Sequence, residues 1–131
     1  MRVSGTMGAK GRYRVDIDAA GHALVADEPT GHGGGDAGPN PYALVLAGLA
    51  ACTGITLRMY AERKGWGDVG LAITLDFEFG SERRTIQRRV SVTGAPDDAA
   101  IQRLRDIVER TPVTLALKEG FEILTELAAA N

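Results

Sequence analysis

Cys52 is the only cysteine in this 131-residue chain. A thiol can serve as a nucleophile, but only when a nearby cation or a helix dipole favours the thiolate. The surrounding sequence places Cys52 midway along an apolar stretch that reads as a helix. A mid-helix position gains little from the dipole, so an activating cation must come from elsewhere in space. The competing expectation is plain packing, because a free cysteine usually behaves as a small buried hydrophobe.

The other candidates are weaker. Gly33-Gly34-Gly35-Asp36-Ala37-Gly38 formally satisfies a G-x-G-x-x-G pattern. A dinucleotide site needs a strand before that pattern, a helix directly after it and an acidic residue about 20 positions on. Here Thr30-Gly31-His32 precedes it and Pro39-Asn40-Pro41 follows, which favours a flexible loop. His22 and His32 fall in a turn and a loop, and with one cysteine no metal-ligand spacing emerges. No cofactor is expected. Arg83-Arg84, Arg88-Arg89 and Glu62-Arg63-Lys64 read as solvated charge, although one of these arginines could still face a site. Trp66 reads as a packing anchor.

The elements that must position Cys52 follow from periodicity. Tyr13, Val15 and Ile17 alternate with Arg12, Arg14, Asp16 and Asp18, and Ala20-Gly21-His22 turns the chain into a return strand over 23–26. Asn40-Pro41 then opens a helix over residues 41–64, with Asn as cap and Pro in the first turn. It is apolar or small on nearly every face as far as Leu57, which predicts burial on all sides. One small chain has trouble covering such a helix, so burial in a dimer is attractive. Leu71, Ile73, Leu75, Phe77 and Phe79 form the clearest strand. Its partner, after a turn at Gly80-Ser81-Glu82, carries Ile86, Val90 and Val92, with Arg88 as the outlier on that face. An amphipathic helix follows Pro96-Asp97-Asp98, a short helix follows Thr111-Pro112, and alternation over 121–127 predicts a final strand. The order lacks regular βαβ alternation, so the fold class is α+β.

Bulk properties agree with a single domain over residues 1–131: 44% of residues are hydrophobic, with no repeats. A net charge of -2 without a basic stripe argues against nucleic acid as a partner. The most apolar run, 42–52, falls short of the roughly 18 residues that suggest a membrane span. The start of the chain lacks a signal-peptide core, and a lone cysteine fits a reducing compartment, so a cytoplasmic location is expected.

Three stretches carry a resemblance: Asp36-Ala37-Gly38-Pro39-Asn40-Pro41-Tyr42-Ala43-Leu44, then Leu49-Ala50-Ala51-Cys52-Thr53-Gly54, then 57–66 from Leu57 to Trp66. With the order of elements, they make the chain resemble the OsmC/Ohr family of osmotically inducible and organic-hydroperoxide-resistance proteins over nearly its whole length. The resemblance implies an intertwined homodimer in which curved antiparallel sheets wrap long central helices. It also implies a redox role in oxidative stress. A cysteine matching Cys52 attacks a hydroperoxide and becomes a sulfenic acid, and a second cysteine before Pro-Val closes a disulfide that a dithiol reduces. An N-terminal Arg, here Arg14 or Arg12, and a Glu near the helix start assist.

The chain departs from that pattern twice. Thr111 stands in the second-cysteine position before Pro112-Val113, and Tyr42 stands in the glutamate position, with Ala43 after it. Two readings follow. One is a one-cysteine thiol peroxidase in which Cys52 depends on an external thiol or dithiol. The other is a non-catalytic dimer that binds a small apolar ligand.

Overall fold

The computed structural model describes residues 1–80 and 82–130. The chain forms two compact units, Met1–Ala47 and Gly48–Asn131, with the boundary inside the long helix.

The first unit is a three-stranded antiparallel sheet, β1 (Val3–Thr6), β2 (Val15–Ala19) and β3 (His22–Ala26), with β2 in the centre. The alternation in β2 works as expected: Val15, Ile17 and Ala19 are half-buried, while Asp16 and Asp18 face solvent. Ala20 and Gly21 both take left-handed φ values, 54° and 91°, which matches the twist of a two-residue hairpin. The Asp18 carboxylate accepts the Gly21 N–H at 2.7 Å. Strand β1 was not expected, since Val-Ser-Gly-Thr has no apolar alternation. It forms because β2 offers an open edge, with Val3 opposite Ala19 and Thr6 opposite Asp16.

Helix α1 (Pro41–Arg63) begins as the sequence predicts, with the Asn40 side chain accepting the Ala43 N–H at 2.8 Å. One chain covers it only in part. Within the chain only Leu49, Thr53, Leu57 and Ala61 are buried, a single stripe at four-residue spacing. Ile55 and Met59 on other faces are each 55% exposed. By length and composition α1 would reach across a bilayer, with an 18-residue window of mean hydropathy 1.5. A long core helix meets the same criterion.

In the second unit, β4 (Gly70–Phe79) and β5 (Arg84–Thr93) form an antiparallel ribbon. The expected turn between them includes Ser81, which lies outside the described residues. The register sets Leu71 opposite Val92, Ile73 opposite Val90, Leu75 opposite Arg88 and Phe77 opposite Ile86, so one face is apolar except at Arg88. Gly54 lets α1 approach this face: a Cβ there would sit 3.2 Å from Ile73 Cδ1. Helix α2 (Asp98–Val108) is capped by Asp97, whose carboxylate accepts the Ala100 N–H at 2.8 Å. It buries Ala100 and Leu104. Leu57, Val90, Ile101 and Leu104 converge around one small cleft, with Leu57 and Leu104 buried in the core of the unit. Helix α3 (Pro112–Glu119) follows, with Pro in its first turn, and ends at Gly120. Trp66 packs edge-on against Tyr60 at 5.5 Å, as an anchor should.

The predicted final strand does not form: residues 121–130 have no regular secondary structure. Phe121, Ile123, Leu124 and Leu127 are 73–95% exposed. Alternation alone does not make a strand: the segment must also pair with a sheet edge, and this one pairs with neither sheet.

Candidate functional site

The site is built around Cys52, twelfth of the 23 residues of α1 and half-buried. The Val113 N–H, in the first turn of α3, donates to Cys52 Sγ at 3.5 Å. Thr56, one helical turn on, brings its hydroxyl to 3.8 Å from the sulfur. The first N–H groups of a helix lack intrahelical partners, and here one of them is spent on the thiol.

Thr111 is fully buried and precedes α3. Its hydroxyl makes no cap bond to the helix backbone and instead shares a hydrogen bond with the Thr114 hydroxyl. Fold therefore brings the Thr111-Pro112-Val113 segment to Cys52, across 61 residues of sequence. Tyr42 lies in the first turn of α1, ten positions before Cys52 in sequence. Arg14 belongs to the first unit, where its Nε and Nη2 both donate to Asp16 Oδ1, at 3.2 and 2.9 Å. Arg12 lies over the Tyr13 ring, 5.6 Å from its centroid.

Arg88 corrects the expectation of solvated charge. Its side chain is only 12% exposed. Nη1 donates to Thr53 Oγ1 at 3.0 Å and to Thr114 Oγ1 at 2.9 Å, and Nη2 donates to the Val108 carbonyl at 2.9 Å. Thr53 in turn donates to the Leu49 carbonyl at 2.7 Å. The nearest carboxylate, Glu109, stands 4.0 Å away. It is held instead by Lys118 at 2.9 Å, and that hydrogen bond keeps the Glu109 carboxyl below its ordinary range. The guanidinium thus sits in the interior against neutral oxygens, a placement tolerable only because its donors are bonded. The sequence did carry a signal, since Arg88 interrupts an otherwise apolar strand face. Its neighbour Arg89 behaves as expected, pairing with Asp76 at 3.0 Å on the exposed face.

A groove of about 570 Å³ lies beside this network. Leu49, Ile86, Val108 and Leu117 supply its apolar lining, with Arg88 and Thr114 also on its wall.

The remaining candidates do not assemble. The glycine loop is tied down from within: buried Asp27 accepts the N–H of Glu28 at 2.7 Å and of Ala37 at 3.1 Å, and the Asp36 N–H donates to the Glu28 carbonyl at 3.1 Å. Gly38 approaches β3 so closely that a Cβ would collide with the Val25 carbonyl. The loop's amides are spent on the protein, which leaves little of a phosphate cradle. His32 pairs with Glu28 at 3.7 Å, and no cluster of three or more metal-ligating side chains occurs among the described residues.

The family model described as OsmC-like protein matches residues 32–126. The chain belongs to the OsmC-like family. Solved structures agree on the fold of this OsmC-like protein. An osmotic stress induced and detoxification response protein of Psychrobacter arcticus is 17% identical, with a TM-score of 0.72 over 87% of this chain and 85% of the other. The organic hydroperoxide resistance protein OsmC of Legionella pneumophila is 21% identical, with a TM-score of 0.64 over 89% and 88%. An organic hydroperoxide resistance protein of Vibrio cholerae, with captopril bound in one of its active sites, is 19% identical, with a TM-score of 0.61 over 90% and 85%. No curated protein matches the sequence.

Proposed function

We propose that this OsmC-like protein is a one-cysteine thiol peroxidase that reduces organic hydroperoxides in the cytoplasm. The observation that carries the reading is the Val113 amide held at Cys52 Sγ, which places a mid-helix thiol at the open end of a second helix. In the first step the sulfur of Cys52 attacks the distal peroxide oxygen. The O–O bond breaks, the alkoxide leaves as the alcohol with a proton, and Cys52 becomes a sulfenic acid. Thr111 cannot resolve it, because a hydroxyl does not form a disulfide. An external thiol must condense with the sulfenic acid, releasing water, and a second thiol equivalent then returns Cys52 to the thiol and leaves as a disulfide. Arg14, with Arg12 as the other candidate, is the proposed N-terminal arginine of the site. The hydroperoxide-resistance names of the Legionella and Vibrio structures support the substrate class.

The working unit in this proposal is a homodimer. The exposed apolar faces of α1, at Ile55 and Met59, and the exposed apolar residues after Gly120 favour a second copy of the chain as their cover.

A non-catalytic dimer that binds a small apolar ligand is the alternative, favoured by Thr111 and Tyr42 standing in the positions of the second cysteine and the glutamate. Turnover separates the two readings. Wild-type protein should consume an organic hydroperoxide in the presence of a dithiol or monothiol, and Cys52→Ser should not. Equal rates for the two proteins would remove the enzyme reading.

A further inference from the structure

Resting on the assignment of Cys52 as the reactive group, we infer that Arg88 is the positioning residue of its site. Its guanidinium reaches three elements at once: Thr53 on α1, Thr114 on α3 and the last carbonyl of α2, at Val108. Two of these anchors adjoin the groups that meet at the sulfur. Thr53 follows Cys52 in sequence, and Thr114 follows Val113, whose N–H bonds Cys52 Sγ. The fork therefore fixes the first turn of α3 against the middle of α1.

The chemistry of the brace explains why an arginine is there at all. The position faces the apolar side of the ribbon, opposite Leu75, where an aliphatic side chain would pack without burying a charge. A planar guanidinium can direct parallel and diverging donors at several oxygens in one plane, whereas a lysine ammonium holds its donors on a single nitrogen. The Val113 bond is made to a thiol sulfur, a weak acceptor, so it adds little to hold α3 in place by itself. What keeps it in place is the neighbouring Thr114 hydroxyl, fixed by Arg88 on one side and by Thr111 on the other.

The test is amide hydrogen exchange at Val113, read by NMR, together with steady-state hydroperoxide kinetics. Arg88→Met keeps most of the stem and removes the donors. Its Val113 amide should exchange about tenfold faster or more, while the amides of β4 and of Leu57 stay near their wild-type rates. Its kcat should fall on the order of a hundredfold with KM little changed, since misplacement by even an ångström costs that much. Arg88→Lys should recover part of the loss, and exposed Arg89→Met should change neither reading. Wild-type Val113 exchange in folded Arg88→Met overturns the inference. So does a uniform acceleration of all amides, which would make Arg88 an ordinary stabilising residue. Should Arg88→Met fail to fold, Thr114→Val cuts one anchor, and unchanged Val113 exchange there overturns it equally. The exchange measurement does not depend on turnover, so an inactive wild type would sink the peroxidase reading and leave this result standing.

Discussion

At Cys52 the sulfur meets a backbone donor from Val113 at 3.5 Å and the Thr56 hydroxyl at 3.8 Å, within a half-buried setting. A thiol placed only for packing would need neither. The meeting of two segments was legible, because Ala51-Cys52-Thr53 and Thr111-Pro112-Val113 carry the family's spacing and the fold brings Val113 to Cys52. Arg88 was only half legible. Strand alternation points it inward, while its charge and its neighbour Arg89 argue for solvent. Its acceptors come from α1, α2 and α3, and no local pattern in β5 encodes oxygens that only folding assembles. At this scale the account makes one engineering prediction. Thr111→Cys should form a disulfide with Cys52 when treated with peroxide, seen as loss of free thiol and a cross-linked peptide in non-reducing mass spectrometry. Two thiols that persist under peroxide would show that Thr111 does not occupy the second-cysteine position.

Among the elements, capped helices and alternating strands with a hairpin partner next to them in sequence were readable, and segments without such a partner were not. Asn40, Asp97 and Gly120 mark real helix ends, and the ribbon of β4 and β5 follows its apolar period. Strand β1 exists through the edge of β2, whereas the alternating segment after Gly120 pairs with none of the open edges of the two sheets. The glycine loop has the composition of a flexible segment, yet it is organised by Asp27. That carboxyl is held below its ordinary value, first by the Ala37 N–H and then by the amides of Glu28 and Gly35, against the opposing effect of burial. A depressed carboxyl stabilises the fold above its unfolded pKa, about 3.9, and loses that contribution as pH falls through the lower folded value. Thermal melts should therefore show wild-type stability dropping as pH falls below about 4. Asp27→Asn should be less stable at neutral pH and show a shallower acid drop. Parallel pH curves for the two proteins would mean that the Asp27 charge does not organise the loop.

For the whole molecule, membership of the OsmC-like family and the match to its solved structures fix an α+β fold with antiparallel sheets. The sequence anticipated that class because strands and helices follow one another without βαβ alternation. The apolar sides of α1 and the residues after Gly120 remain uncovered in one chain, which is the physical ground for the proposed dimer. Sedimentation should find a dimer at micromolar concentration, and Ile55→Asp, which would bury a charge in that contact, should shift it toward monomer. A wild-type monomer at such concentrations contradicts the dimer. The central claim, that Cys52 is oxidised by hydroperoxide to a sulfenic acid, is tested most directly by trapping that acid. Reduced protein is given one equivalent of cumene hydroperoxide in the presence of dimedone, and the peptide carrying Cys52 is analysed by mass spectrometry. The account predicts a dimedone adduct on Cys52 within the time of mixing; an unmodified Cys52 thiol, with the hydroperoxide still intact, would contradict it.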